Sequence, residues 1–417
     1  MQTTMRILQY ILITIGVLIV GGFAGWYIYL RSQAETTSSI DTARGLNALT
    51  LSFGGGSGGN TQANIAQSKI VAEGNRTTYS PNAKGDLWEI EHTPVAGFGF
   101  MTSTTSTSSV IHFAMRATGF IMNADPSTHI VTRLSDTLTP KTYEALFAPN
   151  GTIIERTIGN DGAITTFIGA IASSTSATST SRALRGKQLS SNIRFITFNK
   201  SGASILYLVE STRGTVGMTA KKDGTSIVQV FTSTIGSWRP LWLSNGDIIL
   251  LESPTDNAAG YAYRLQKNGT TQLLIGNIPG LTILPHFNSK ALIYGSTRGG
   301  ALALFGTLNQ STTTNLGMAT IADKCVWSTT LNTIAYCAVP TVPPTGQFLN
   351  DWYQGIVHTS DQWWKVDVST GVSQVIYSPS KDNVSLDVEN PTIDASGAYI
   401  AFMNAKDKSL WLLRLKQ

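Results

Sequence analysis

The sequence is poor in charge and in cysteine. Of its 417 residues, 13% are Asp, Glu, Lys or Arg, and only two are Cys. So few charges exclude a coiled coil, a charged tail and extended ion-pair networks. The formal net charge is +5, but no segment concentrates Lys and Arg. A nucleic-acid partner is therefore not predicted. With 42% hydrophobic residues, the chain can bury a substantial core.

The sequence also lacks a pattern typical of catalysis or metal binding. Its five histidines are scattered, and none belongs to an H-E-x-x-H motif. Residues 55–59, GGSGG, match the G-x-S-x-G nucleophile motif. However, that motif needs a strand before it and a helix after it, and neither is indicated here. The sequence predicts no catalytic residue, no metal ligand and no cofactor, and it favours a function other than catalysis.

One uncharged stretch near the N-terminus is long enough to cross a membrane. It runs for 24 residues from Ile7 to Leu30, which as a helix would span roughly 36 Å against a hydrocarbon core of about 30 Å. Trp26 and Tyr27 lie near its end, and such rings prefer the headgroup region. A buried core helix and the apolar part of a cleaved signal peptide are usually shorter. We therefore predict a single transmembrane anchor within residues 1–31.

The rest of the chain is predicted to lie on one side of that membrane. Only five residues precede Arg6, and a short tail of this kind usually stays in the cytoplasm. We expect residues 32–417 to be extracytoplasmic. Residues 32–85 have no long apolar run and contain GGGSGG at 54–59, which predicts a flexible tether. Residues 86–417 are predicted to form the folded body.

The body repeats one unit, a short strand followed by a polar turn and a strongly apolar strand. The turns recur at intervals of 42 to 51 residues, except for a final interval of 65 residues. Their positions are Gly151, Gly202, Gly246, Lys290, Asn332 and Gly397. Two further strands follow each unit. Four strands in a period of about 40 to 50 residues predict an all-β fold, the β-propeller.

Seven blades fit the length of the body best. Four additional strands precede the first repeated unit, and the last unit supplies only three before Gln417. A strand near Asp86–His92 is predicted to complete that last blade by pairing the two ends of the body, which removes exposed strand edges. Six or eight blades are alternatives. A pair of β-sandwiches would not require a repeated turn.

Three copies of the unit carry a resemblance to a known family. PTIDASGAYIAF (391–402), LFAPNGTII (146–154) and LWLSNGDIIL (241–250) resemble the repeat of TolB-type, WD40-like β-propellers. No copy retains the full S-P-D-G turn of that repeat, and residues 32–85 do not resemble the N-terminal domain of TolB. The anchor, the Gly-rich tether and the segments KCVWS, YCAVP and DWYQG also resemble uncharacterised membrane-anchored propeller proteins of candidate-phylum bacteria. The resemblance implies a fold and a location but no activity.

The two cysteines lie in one repeat unit. Cys325 and Cys337 bracket a turn-like segment between two apolar runs, so in an antiparallel pair their thiols would face each other. An extracytoplasmic location would favour a disulfide between them. Two buried free thiols are the alternative.

A long insertion in the sixth unit is the main candidate for a binding site. It accounts for the 65-residue interval and ends in SDQWW. Loops on a rigid scaffold often carry binding, and aromatic side chains there provide contact area. The alternative is that these rings form a small core of their own. The predicted binding residues are Phe348, Asp351, Trp352, Tyr353, Trp363 and Trp364.

These observations predict a membrane-anchored, extracytoplasmic propeller that binds a protein or an envelope polymer as a scaffold. The competing hypothesis is an envelope enzyme, glycan-active or metal-dependent, with its site in the propeller channel. The sequence identifies neither the partner nor a substrate.

Overall fold

Nearly all the regular secondary structure in the described part of the chain is β-strand. The computed structural model describes residues 83–102, 109–172, 182–287, 290–309 and 312–416. The predicted anchor, and all but the last three residues of the predicted tether, lie outside these ranges. Within these ranges, no helix combines the length and the apolar character that a membrane span requires.

The strands follow one another along the chain in short antiparallel pairs. In order they are β1 (Ala83–Lys84), β2 (Leu87–Glu91), β3 (Val95–Thr102), β4 (Ser109–Met115), β5 (Ile121–Asp125), β6 (Ile130–Arg133), β7 (Thr142–Phe147), β8 (Thr152–Ile158), β9 (Ile164–Ile171), β10 (Leu184–Gln188), β11 (Ile193–Phe198), β12 (Ser204–Ser211), β13 (Gly214–Lys221), β14 (Val228–Ser233), β15 (Trp238–Trp242), β16 (Ile248–Glu252), β17 (Ala259–Leu265), β18 (Thr271–Pro279), β19 (Thr282–Pro285), β20 (Leu292–Ser296), β21 (Ala303–Thr307), β22 (Thr314–Asn315), β23 (Cys325–Trp327), β24 (Ile334–Pro340), β25 (Asp361–Asp367), β26 (Ser373–Tyr377), β27 (Val388–Ile393), β28 (Tyr399–Asn404) and β29 (Leu410–Arg414).

These strands form seven separate antiparallel sheets, so the prediction of a seven-bladed β-propeller is confirmed. Blades 1 to 6 each take four consecutive strands, beginning with β3 in blade 1 and ending with β26 in blade 6. Blade 7 has the order β1-β2-β29-β28-β27. Its β2 pairs with β29, with Leu87 opposite Leu413. The predicted closure of the ring by the two ends of the body is therefore confirmed.

The second strand of each blade explains the repeated apolar run in the sequence. Ile205, Leu206, Tyr207 and Leu208 of β12 are all buried, because both faces of a blade pack against neighbouring blades. A strand buried on both faces has a continuous hydrophobic sequence rather than an alternating one. Clusters of such side chains lie between blades 2 and 3 and between blades 5 and 6. The core is thus divided among the spaces between blades.

The turn before each of these strands explains the repeated glycine. Gly151 and Gly246 have φ angles of 81° and 91°. This left-handed region favours glycine because a Cβ atom would be strained there.

In blade 6, Cys325 of β23 lies directly opposite Cys337 of β24. Their Cα atoms are 4.0 Å apart and the two sulfurs are joined in a disulfide. Both residues are buried in the cluster between blades 5 and 6.

The long insertion of the sixth unit lies between β24 and β25. It contains a helix that the sequence did not predict, α1 (Phe348–Tyr353), because six residues are too few for a recognisable helical period. The Oδ2 atom of Asp256, in blade 4, accepts a hydrogen bond of 3.0 Å from the backbone N–H of Asn350. An isolated bridge also joins Thr345 to Ala301 of blade 5. The insertion therefore extends over blade 5 and reaches blade 4.

Candidate functional site at the channel mouth

A cavity of about 240 Å³ opens where the first strands of the blades begin. Among the described residues, its walls come from every blade except blade 5. Trp352 and Tyr353 of the insertion line it instead. The cavity is therefore the mouth of the central channel, narrowed on one side by the insertion.

Eight charged side chains line this mouth. Five are basic and three are acidic, which leaves a formal excess of two positive charges. They are Arg116, Arg156, Arg194, Arg239 and Lys408, with Glu144, Asp323 and Glu389.

Arg156 is buried in the wall between blades 2 and 3. It is 2% exposed and donates hydrogen bonds to Glu144 and to the backbone oxygen atoms of Ile193 and Arg194. Burial alone would lower the pKa of Arg156, but Glu144 and Tyr143 outweigh it and raise that pKa. The guanidinium group is thus charged and fixed in orientation.

Arg239 joins the opposite wall to the insertion. It donates to Asp323 Oδ1 at 2.7 Å and to Tyr353 Oη at 2.9 Å. Its guanidinium carbon lies 4.9 Å from the centre of the Tyr353 ring, a distance suited to a cation–π interaction. Burial raises the pKa of the Tyr353 phenol, so the phenol stays protonated at neutral pH.

The other basic groups differ in exposure. Lys408 is buried and donates to Glu389 Oε2 at 2.5 Å. Arg194 lies at the rim and pairs with the exposed Glu210. Arg116 donates to the backbone oxygen atom of Tyr143 at 3.0 Å. Burial lowers the pKa of Arg116, and Glu389 and Glu144 oppose this effect only in part.

A buried ion network holds the insertion in place behind the mouth. Lys324 is fully buried, and its Nζ atom donates to Thr359, Asp361 and Asp387, each at 2.6 Å. Trp352 of α1 donates to Asp387 Oδ1 at 2.9 Å. The Nδ1 atom of the partly exposed His358 lies 2.9 Å from Asp387 Oδ2. The carboxylate of Asp387 therefore attaches the helix to blade 7.

The structure separates the six predicted binding residues. Of these, Tyr353 and Trp352 line the cavity. Phe348 and Trp352 are buried in a cluster with Leu349 and Ile321. Asp351 is half-buried within α1. The insertion thus has a small core of its own, and a binding role for these side chains stays a prediction.

The two adjacent tryptophans of β25 lie on opposite faces of blade 6. Trp363 is fully buried against blade 7. Trp364 is partly buried and packs between blades 5 and 6. Neither ring lines the channel mouth.

Sequence reasoning missed the arginines of the mouth. Arg194 and Arg239 are each the second residue of the first strand of a blade. Glu389 holds the same position in blade 7, and Glu144 is the third residue of its strand. Charged residues near the start of the first strand of several blades were the available signal.

Comparison with known proteins identified neither a matching family model nor a matching curated protein. Solved structures do match. An oligogalacturonate lyase in complex with manganese is 9% identical with a TM-score of 0.53, over 82% of this chain and 96% of the lyase. TolB from Acinetobacter baumannii is 14% identical with a TM-score of 0.40, over 77% of this chain and 80% of TolB.

The WD40 domain of Pan2 from Neurospora crassa is 13% identical with a TM-score of 0.47, over 78% of this chain and 90% of that domain. The chain shares its overall fold with the oligogalacturonate lyase. At such low identities the similarity establishes the fold alone. The predicted likeness to propeller proteins of candidate-phylum bacteria stays a prediction.

The three carboxylates of the mouth each pair with an arginine or a lysine. In the parts of the chain that the structure describes, no group of three or more His, Cys, Asp or Glu side chains is placed to hold a metal ion. The carboxylates fix the orientation of Arg156, Arg239 and Lys408 at the mouth.

Proposed function

We propose that this protein is a membrane-anchored, extracytoplasmic scaffold that binds an acidic partner at its channel mouth. The partner is a protein or an envelope polymer. The observation that carries the proposal is the convergence of five basic side chains from five blades on one cavity. Residues 7–30 would supply the anchor.

The electrostatics of the mouth support an acidic partner. A concave site with an excess of positive charge attracts anions from a distance. Carboxylates such as Asp323 and Glu144 fix the guanidinium groups in orientation. Oriented arginines form strong, charge-assisted hydrogen bonds to carboxylate groups.

Arg194→Ala is expected to weaken binding of an acidic polymer about tenfold at low ionic strength. The reason is that a hydrogen bond to a charged group contributes a binding free energy equivalent to about a tenfold change in affinity. Arg194 is at the rim and partly exposed, so its removal should leave the fold intact. Full-length protein in mild detergent would be titrated with polygalacturonate and with neutral dextran.

The matched control is Arg213→Ala, because Arg213 is exposed and does not line the cavity. Equal binding of dextran and polygalacturonate by the unaltered protein would contradict the proposal. Equal loss of affinity in the two arginine variants would place binding outside the mouth.

The proposed location makes a separate prediction. Cys325 and Cys337 are expected to resist thiol labelling when the protein is extracted from cells and denatured without reductant, because an oxidising compartment preserves their disulfide. Labelling after addition of reductant is the positive control. Two free thiols in protein taken directly from cells would argue against an extracytoplasmic body.

An enzyme acting in the channel is the second candidate. Glu144, Asp323 and Glu389 line the same cavity as the phenols of Tyr143 and Tyr353, and carboxylates and phenols are common proton-transfer groups. Oligogalacturonate lyases share the overall fold. Incubation with oligogalacturonate, with and without manganese, tests this candidate. A lyase reaction would increase ultraviolet absorbance as the unsaturated product forms.

A further inference from the structure

The end of the ring opposite the mouth carries a basic patch on blades 2 to 4. The first strand of a blade begins at the mouth, so the turns after its first and third strands lie at the opposite end. Five exposed lysines lie on these turns or beside them, namely Lys187, Lys200, Lys221, Lys222 and Lys267. The sequence did not reveal the basic patch because its residues come from three blades.

Two turns of blade 3 bring several of these lysines together. The backbone N–H of Lys222 donates to the oxygen atom of Ala203 at 2.9 Å. This hydrogen bond joins the turn of Lys222 to the turn that contains Lys200.

Lys187 of blade 2 lies beside the same turns. Hydrogen bonds from Thr225 lower the pKa of Asp223, and the charges of Lys187 and Lys221 lower it further. The two lysines are therefore close to one carboxylate of blade 3, although they belong to different blades.

Acidic groups do not balance the basic patch. Asp247 lies on the same turns, but it is 3.6 Å from Arg264 and this pair is neutral. Asp223 against five lysines leaves a formal excess of four positive charges. Equivalent turns of three other blades carry an aspartate, namely Asp125, Asp367 and Asp394. The basic patch is therefore confined to one side of the ring.

Two large apolar side chains are exposed within the basic patch. Ile227 is 53% exposed and Val228 is 56% exposed, and both follow Lys221 and Lys222 closely in the chain. Val228 borders a groove that Lys267 of blade 4 also lines. Exposed apolar groups among lysines suit a lipid surface, because the apolar groups enter the interface and the lysines attract anionic headgroups.

The described part of the chain begins at the same end of the ring. Ala83 of β1 pairs with Trp88 next to Leu87, which lies at the end of blade 7 away from Glu389 and the mouth. The predicted anchor, residues 7–30, precedes this point in the chain. The chain thus enters the ring at the end that carries the basic patch, which favours a bilayer over a soluble acidic protein as the partner.

We propose that the basic patch, together with Ile227 and Val228, docks on the surface of an anionic lipid bilayer. The lysines contact headgroup phosphates, and the two aliphatic side chains enter the headgroup region. The mouth then opens away from the bilayer, where an acidic partner can reach it. This inference goes beyond the proposed function and shares with it only the membrane anchor.

A fluorescent label at position 227 tests the docking surface. Full-length Ile227→Cys would be labelled with the environment-sensitive dye NBD without reductant, because the two native cysteines form a buried disulfide. It would be reconstituted in vesicles of phosphatidylcholine, with or without phosphatidylglycerol. We expect a blue shift of the emission, and quenching by spin-labelled acyl chains, only with phosphatidylglycerol. Salt at about 1 M should abolish both, because the Debye length falls to about 3 Å.

Replacement of two lysines tests the role of charge. Lys221→Gln with Lys222→Gln, in the labelled protein, is expected to lower the ratio of docked to undocked protein about 10- to 30-fold. Arg213→Gln is the control, because Arg213 is exposed and lies in the turn after β12, at the mouth end of the same blade. All three side chains are exposed, so the melting temperature should not change.

An unshifted label in both kinds of vesicle would overturn the docking surface. An equal shift in both kinds, or an equal effect of the lysine and arginine changes, would overturn it as well. Polyglutamate that shifts the label in detergent, where mixed vesicles do not, would assign the basic patch to an acidic protein instead. Protein that stays with the vesicles in high salt without any shift at low salt would overturn the docking surface and leave the anchor standing.

Discussion

Lys324→Met is expected to lower the free energy of unfolding by about 3–5 kcal/mol, the usual cost of breaking a buried ion network. Lys324 is fully buried between two fully buried carboxylates, Asp361 and Asp387. Burial and the neighbouring Asp387 raise the pKa of Asp361, and Lys324 opposes both effects. Without the lysine, the two carboxylates would repel each other in a low-dielectric region. Urea unfolding followed by tryptophan fluorescence would measure the change.

Lys267→Met is the control, because Lys267 is exposed and its replacement should change stability by less than about 0.5 kcal/mol. Adding Asp361→Asn and Asp387→Asn to Lys324→Met should recover part of the loss. A loss below about 1 kcal/mol for Lys324→Met would contradict an ionised network. Because Trp352 and Thr359 bind the same network, the variant should also weaken ligand binding at the mouth.

Glu155→Gln is expected to remove a pH dependence of about 3 kcal/mol from the stability of the protein, at 1.36 kcal/mol for each pKa unit. Glu155 is 1% exposed, so its carboxyl group is almost fully shielded from water. Burial raises its pKa from 4.5 to about 7, although Thr139 nearby lowers it in part. Its neighbours on the two adjacent strands are Ala145 and Phe167. Neither side chain can compensate the negative charge of an ionised Glu155.

The sign of this effect follows from the raised pKa. The folded protein holds the proton of Glu155 more tightly than the unfolded chain, so this contribution to stability is complete below about pH 4.5. It is lost as the pH rises towards about 7 and is constant above that. The difference in unfolding free energy between Glu155→Gln and the unaltered protein should change accordingly across this range. Urea unfolding at pH 4.5, 6 and 8 would measure it.

Glu210→Gln is the control because Glu210 is exposed, and its unfolding free energy should run parallel to that of the unaltered protein between these pH values. A parallel pH dependence in Glu155→Gln and the unaltered protein would show that Glu155 is not the titrating group. The prediction is independent of the ligand.

The fold could be predicted from the sequence because every blade has the same local packing requirements. A strand buried on both faces, such as β12, needs a continuous apolar sequence. The turn before it needs a residue that accepts positive φ, as Gly151 does. Turns of this kind recur at Gly202, Gly246 and Gly397, and their spacing, together with that of the apolar strands, predicts the period. The pairing of β2 with the last blade could also be predicted, because the last repeated unit has only three strands and needs a fourth.

The channel mouth could not be predicted in the same way because its residues are distant in sequence. Arg156 and Arg239 meet in one cavity only because the ring brings their blades to a common axis. The aromatic residues of the insertion are close together in sequence, and for this reason they were the predicted binding residues. Most of them are buried because a 20-residue insertion needs its own core. A count of charges at equivalent strand positions would have pointed to Arg194, Arg239 and Glu389.

The pairing of β2 with β29 also constrains how the protein folds. β2 precedes blade 1 in the chain, yet its partner strand, Leu410–Arg414, follows all the other strands of the ring. Leu87, Trp88 and Ile90, which are buried in the closed ring, have no completed surface to pack on until then. Contacts of such long sequence separation slow folding and leave an unpaired strand exposed to aggregation. Loss of the last few residues should therefore destabilise both ends of the ring at once, and the seven blades should unfold as one cooperative unit.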